Sequence, residues 1–242
     1  MNSRRKQAKT RSDLVNVYIL HGWSYSLDKW QPFVSQLKNK KLNPVLLKIP
    51  GLTEKINKPW TIEDYINWLN EKIEKEDKVI LLGHSNGGRI AMNFALAHPA
   101  KVKKLILIDS AGIYHDEIAI KIKRKAFGTI AKLGRKILKN DFGKKLLYSL
   151  ARETDYKDAD ENMKKTMVNL LSSDKILKAE NISTPTVILW GEKDRITPVS
   201  DAKLLESKIV NSKLLIVTGA RHAPQFTHPK EVVDIIIKQY NN

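Results

Sequence analysis

Ser85 stands inside Gly83-His84-Ser85-Asn86-Gly87-Gly88, directly after the apolar run Val79-Ile80-Leu81-Leu82 and directly before a helical pattern from Gly87 to Ala97. A Gly-x-Ser-x-Gly turn between strand and helix is so tight that its serine takes a strained backbone conformation and the residues two positions away must lack bulk. In return the hydroxyl stands clear of the sheet, at the positive end of the helix that follows. A serine hydroxyl is a poor nucleophile until a base takes its proton, and that base needs a carboxylate to orient it. Of the six histidines, His222 sits in Gly219-Ala220-Arg221-His222-Ala223-Pro224, in the loop beyond the last apolar run. Two acids occupy places from which they could reach it: Asp194 in Gly191-Glu192-Lys193-Asp194, and Asp109 at the end of Leu105–Ile108. Spacing alone leaves both open.

Attack on a carbonyl also needs donors aimed at the oxyanion, each contributing roughly a hundred- to thousandfold in rate. One expected donor is the backbone N–H of Asn86, the residue after the serine. The second is expected from Leu20-His21-Gly22-Trp23, where Gly22 permits close approach, and is assigned to the N–H of Trp23. His21 reads as a brace for that loop, His84 as packing under the turn, and His98, His115 and His228 as surface or helix-end residues. The walls of a substrate pocket are expected from Trp23, from the loop Leu52–Trp60 including Trp60, and from the helical stripe described next.

The elements that must position these groups are legible as apolar runs separated by helical patterns: Leu14–Leu20, Leu42–Ile49, Lys78–Leu82, Lys104–Asp109, Thr186–Trp190 and Lys213–Val217. Near-continuous Val, Ile and Leu runs of this length point to an α/β fold, a mostly parallel six-stranded sheet with helices on both faces. Thr61–Lys75 carries Ile62, Tyr65, Ile66, Leu69 and Ile73 on one stripe, with Thr61 as N-cap and Asp64 in the first turn; Pro229–Gln239 opens with proline at a first-turn position. The alternation breaks between Gly112 and Ser183. There Ala119, Ile122, Ala126, Ile130, Leu133 and Ile137 give helical steps, followed by helical stretches Phe142–Arg152 and Asn162–Leu171. The expected organisation is a disordered basic leader over 1–13, a core from 14–111 and 184–242, and a helical cap over 112–183.

The chain has 242 residues, a net charge of +17 and no cysteine. Its length fits one domain with an insertion, and the absence of cysteine removes disulfides, thiol nucleophiles and thiolate metal sites. The first apolar run is far too short for a signal core or a membrane span, so no membrane span and a cytoplasmic location are expected. Glu117–Arg152 alone carries a net +9. A basic nucleic-acid or anionic-surface binder is the rival reading. However, 34 lysines stand against 9 arginines, base readout leans on arginine, and no aromatic-interleaved basic stripe is present; the expectation is no specific nucleic acid.

Taken together, His21-Gly22-Trp23 with Trp30, the Gly83–Gly88 turn, Gly191–Asp194 through Pro198, and Gly219–His222 with Pro229 resemble the α/β-hydrolase superfamily. The resemblance covers nearly the whole chain outside 112–183. It implies Ser85 as nucleophile, Asp194 as acid and His222 as base, in the chain order of that family, with a cap over the site and no cofactor or metal. Serine at the turn speaks against epoxide hydrolases and haloalkane dehalogenases. His21-Gly22-Trp23-Ser24 with His222-Ala223-Pro224 and His228-Pro229 is most similar to small carboxylesterases of the pimeloyl-acyl-carrier-protein methyl esterase type. Hydrolysis of short- to medium-chain esters is therefore expected, with a carrier-bound methyl ester or an acyl-homoserine lactone as alternatives, and an acidic carrier protein as a partner suited to Lys121–Lys145. The chain opens on what resembles the family's third strand, so Leu14–Leu20 is expected to be less protected.

Overall fold

The computed structural model describes residues 15–24, 26–40, 42–114 and 160–241. Its centre is a sheet of six strands, β1 Asn16–Leu20, β2 Asn43–Leu46, β3 Val79–His84, β4 Val102–Ile108, β5 Thr186–Gly191 and β6 Ser212–Val217, in the order β2-β1-β3-β4-β5-β6. Every pairing is parallel. The helices are α1 Gln31–Asn39, α2 Ile62–Lys72, α3 Asn86–Ala97, α4 Glu161–Ser173, α5 Val199–Lys208 and α6 Pro229–Asn241, with a single turn at Pro224–Thr227 before the last.

Period-two alternation along the strands splits the core in two. Tyr18, Leu20, Leu81, Leu105, Leu107, Ile188 and Trp190 pack with α2, α3, α4 and α5 on one face. Val17, Ile19, Ile80, Leu82, Ile106, Ile108, Val187 and Leu189 pack with α1 and α6 on the other. A sheet buried on both faces is why the strands read as unbroken apolar runs. Helix α2 begins with a capping box: Thr61 Oγ1 accepts the N–H of Asp64 and Asp64 Oδ2 accepts the N–H of Thr61 at 2.8 Å.

β1 is flanked by β2 on one side and β3 on the other. The expectation of a less protected Leu14–Leu20 is corrected accordingly: the edge is β2, whose Pro44 an edge strand tolerates, and Asn16–Leu20 is an interior strand. Leu47–Ile49, expected within the second strand, lies outside it, because the partner strand ends at Leu20 while Leu46 already pairs with Ile19. Helix α4 covers the expected stretch Asn162–Leu171. The leader 1–13, the stripe Ala119–Ile137, the stretch Phe142–Arg152 and the basic residues they carry lie outside the described residues. Among the described residues no helix is long and apolar enough to cross a membrane.

Candidate active site

Strand order reverses at β1, and open α/β sheets bind their ligands beyond the C-terminal strand ends at such a point, here those of β1 and β3. Ser85 closes β3 there, with φ 52° and ψ −120°. Its strained backbone is held by hydrogen bonds on both sides: its N–H donates to Ile108 O at 3.1 Å and its carbonyl accepts the N–H groups of Gly88 and Ala111, each at 2.9 Å. The glycines around it are spatial necessities. A Cβ on Gly87 would collide with the Leu20 carbonyl, and one on Gly83 with the backbone of Gly88.

Asp194 follows β5 and His222 follows β6, and the two meet: His222 Nδ1 lies 2.8 Å from Asp194 Oδ2. Asp194 is itself fixed, since its Oδ1 accepts the N–H groups of Ile196 at 2.8 Å and Thr197 at 3.2 Å. The Thr197 hydroxyl donates to Asp194 Oδ2 at 2.7 Å. Trp190, buried in β5, donates its indole N–H to Thr197 O at 2.8 Å and so ties that loop to the core. With Nδ1 engaged by the carboxylate, the imidazole presents Nε2 as its basic atom, the orientation general-base work requires. Ser85 Oγ makes no hydrogen bond among the described residues. The contact between His222 and Asp194 is therefore the side-chain pairing present at this end of the sheet.

Asp109, the other candidate acid, does something different. It is fully buried at the end of β4, and its two oxygens accept the N–H of Gly191 at 2.8 Å and the N–H of Ala223 at 2.7 Å. It therefore braces the loops that carry Asp194 and His222, and it lies close to the imidazole without sharing a hydrogen bond with it. Burial, and then the charge of Asp194, push its pKa up to about 7. Ser85, Asp109 and Ala223 are the non-glycine residues with positive φ among the described ones. All three lie at this end of the sheet, and strained backbone concentrates where a structure does chemistry.

Gly22 lies against the turn: a Cβ there would sit 3.0 Å from Ser85 Cβ. The loop after β1 thus runs beside the serine, next to the start of α3 where Asn86 is the first residue. His21 is fully buried, with Nδ1 2.7 Å from Gly22 O and Nε2 3.4 Å from Thr53 Oγ1; burial lowers its pKa to about 4. His84 is buried beneath His222, ring centroids 4.9 Å apart, and borders Trp30 and Phe226. Trp23 and Trp60 are half-buried against the same core cluster, and Trp60 meets Tyr65 edge-on at 4.9 Å. His98 ends α3 and His228 ends the Pro224–Thr227 turn; His115 lies outside the described residues.

His84, Asp109 and His222 form a group whose nitrogen and oxygen atoms lie within 4.8 Å of one another. Both Asp109 oxygens are already spent on backbone N–H groups and His222 Nδ1 on Asp194. Thr197 and the bracing role of Asp109 carry no periodic signal; the only hint of Thr197 is its place three residues after an aspartate, where a hydroxyl can turn back.

A family model described as serine aminopeptidase, S33, matches residues 15–226. Relatives include the pimeloyl-[acyl-carrier protein] methyl ester esterase of Wigglesworthia glossinidia brevipalpis, 27% identical with 95% of this chain and 96% of that protein covered. The enzyme of the same description from Legionella pneumophila strain Lens is 28% identical over 87% of this chain and 88% of that one. Among solved structures, the α/β-hydrolase enzyme MGS-M2 from a Medee basin deep-sea metagenome library superposes with a TM-score of 0.70 at 20% identity, covering 97% of this chain and 92% of that one. With the strained serine at the switch point and a matching family model over most of its length, this chain belongs to the serine aminopeptidase S33 family and is a serine hydrolase of the α/β-hydrolase fold.

Proposed function

We propose that the protein is a serine carboxylesterase that cleaves short- to medium-chain esters through Ser85, His222 and Asp194. The observation that carries this reading is the 2.8 Å contact between His222 Nδ1 and Asp194 Oδ2 beside a serine held at positive φ. His222 Nε2 takes the proton of Ser85 as Oγ attacks the ester carbonyl. The N–H groups of Asn86 and Trp23 receive the charge on the carbonyl oxygen. His222 then protonates the departing alcohol, and water, deprotonated by the same imidazole, releases the acid from Ser85. Trp23 and Trp60 supply pocket wall, and the insertion 112–183 supplies the cap. The named relatives favour a narrower version, a methyl ester on an acyl chain held by an acidic carrier protein.

The test is a substrate panel: p-nitrophenyl esters of increasing chain length, a carrier-bound acyl methyl ester, an acyl lactone and an aminoacyl p-nitroanilide. Ester turnover that Ser85→Ala abolishes supports the proposal. Turnover confined to the anilide, or none beside tight DNA binding at physiological salt, contradicts it.

A further inference from the structure

Arg89 is a buried cation one turn into α3, and it stands at the crossing of three segments. Its Nε donates to Asp174 Oδ1 at 2.6 Å and its Nη2 to Asp174 Oδ2 at 3.1 Å, a two-pronged grip. Its Nη1 donates to Asn86 Oδ1. The side chains of Arg89 and Asp174 are 7% and 5% exposed, so water screens neither.

Asp174 caps the C-terminal end of α4. A carboxylate there faces the negative end of the helix, the unfavourable sign, and Arg89 is what offsets it. The other stem of the insertion meets the same residue. Gly112 has φ 108°, and a Cβ on it would lie 3.2 Å from Arg89 Cα and 2.9 Å from Met92 Cε. The chain thus leaves the sheet across the backbone of Arg89 and returns onto its guanidinium. Asn86 is buried, and its Nδ2 has no hydrogen-bond partner among the described residues. The orientation of its amide therefore depends on Arg89.

We infer that Arg89 and Asp174 are a positioning pair that fixes Asn86, and with it the first peptide of α3, so that the oxyanion donor is aligned only when both stems of the insertion are seated. The inference rests on the proposed role of the Asn86 N–H.

A structural ion pair and a positioning pair separate experimentally. A buried pair replaced by apolar residues of similar volume generally keeps or raises stability. In Arg89→Met/Asp174→Leu the expected result is a melting temperature close to wild type, kcat on p-nitrophenyl acetate lower by about ten- to a hundredfold, and KM changed less than about threefold. Asn86→Leu, which leaves the ion pair intact, is expected to show the same kcat loss, and combining it with the double variant should add nothing further. A folded double variant with wild-type kcat, or losses that add in the combination, overturns the inference. If the double variant does not fold, Asp174→Asn replaces it in the same cycle with the same two outcomes. Ser85→Ala assayed alongside keeps the readings apart. An inactive Ser85→Ala beside a fully active double variant overturns the positioning role alone, whereas an active Ser85→Ala overturns the esterase reading beneath it.

Discussion

Asp109 Oδ2 accepts the backbone N–H of Ala223 at 2.7 Å, one peptide beyond His222. The other oxygen holds Gly191, three residues before Asp194. One buried carboxylate thus sets the distance between the loops that carry the proposed acid and base.

Asp109→Asn keeps one acceptor and turns an amide N–H toward a backbone N–H that has lost its partner. The expected cost is about 1–3 kcal/mol of stability, a fall in melting temperature of roughly 2–4 °C per kcal/mol for a chain of this size. Activity is expected to be mostly retained. Asp194→Asn, by contrast, leaves the imidazole in the wrong tautomer and should lower kcat by about 10³–10⁴. Thermal melts and kcat for the two variants check the division of labour.

The pKa of Asp109, raised from 3.8 to about 7 by burial and the charge of Asp194, links it to stability. The folded state holds this proton more tightly than the unfolded chain does. This group's contribution is therefore full below about pH 4, is lost as pH rises to about 7, and is level above that. Denaturant unfolding of wild type and Asp109→Asn from pH 4 to 8 isolates it: the wild-type advantage should shrink across that window.

His21 acts with the opposite sign. Its pKa is lowered from 6.5 to about 4 by burial, so the unfolded chain binds the proton more tightly and stability falls as pH drops from about 6.5 through 4. Nuclear magnetic resonance titration of its ring should show a neutral imidazole at pH 5.5.

Gly87→Ala tests the turn itself. A methyl group would be driven into the Leu20 carbonyl, and overpacking of this kind costs about 1–3 kcal/mol or more. Ala at Gly219, where nothing lies within 4 Å of the new atom, meets no clash and pays only for its positive φ. Gly87→Ala should therefore melt at a lower temperature than Gly219→Ala.

What could be read from the sequence follows from the range of the interactions. The strands announced themselves because both faces are buried, which leaves unbroken runs such as Val79–Leu82. The turn at Ser85 was legible because sterics demand glycine at fixed offsets from it. Thr61 and Asp64 are three residues apart and carry a local signal. Arg89 and Asp174 are 85 residues apart, and Asp109 reaches Ala223 across 114. No periodicity connects such pairs; the first exists only once two helices have packed on the sheet, and the second only once the sheet has brought its strand ends together. The protection of the run Leu14–Leu20 is illegible for the same reason, since it depends on β2 returning to pair beside it.

On the proposed mechanism, Ser85 becomes covalently acylated because His222 removes its proton. The direct measurement is intact-mass and peptide-mapping spectrometry after reaction with a fluorophosphonate. One adduct on Ser85, formed rapidly in wild type and very slowly in His222→Ala, is the predicted result. An enzyme that hydrolyses esters while Ser85 stays unmodified, or that is labelled equally fast without His222, would contradict it.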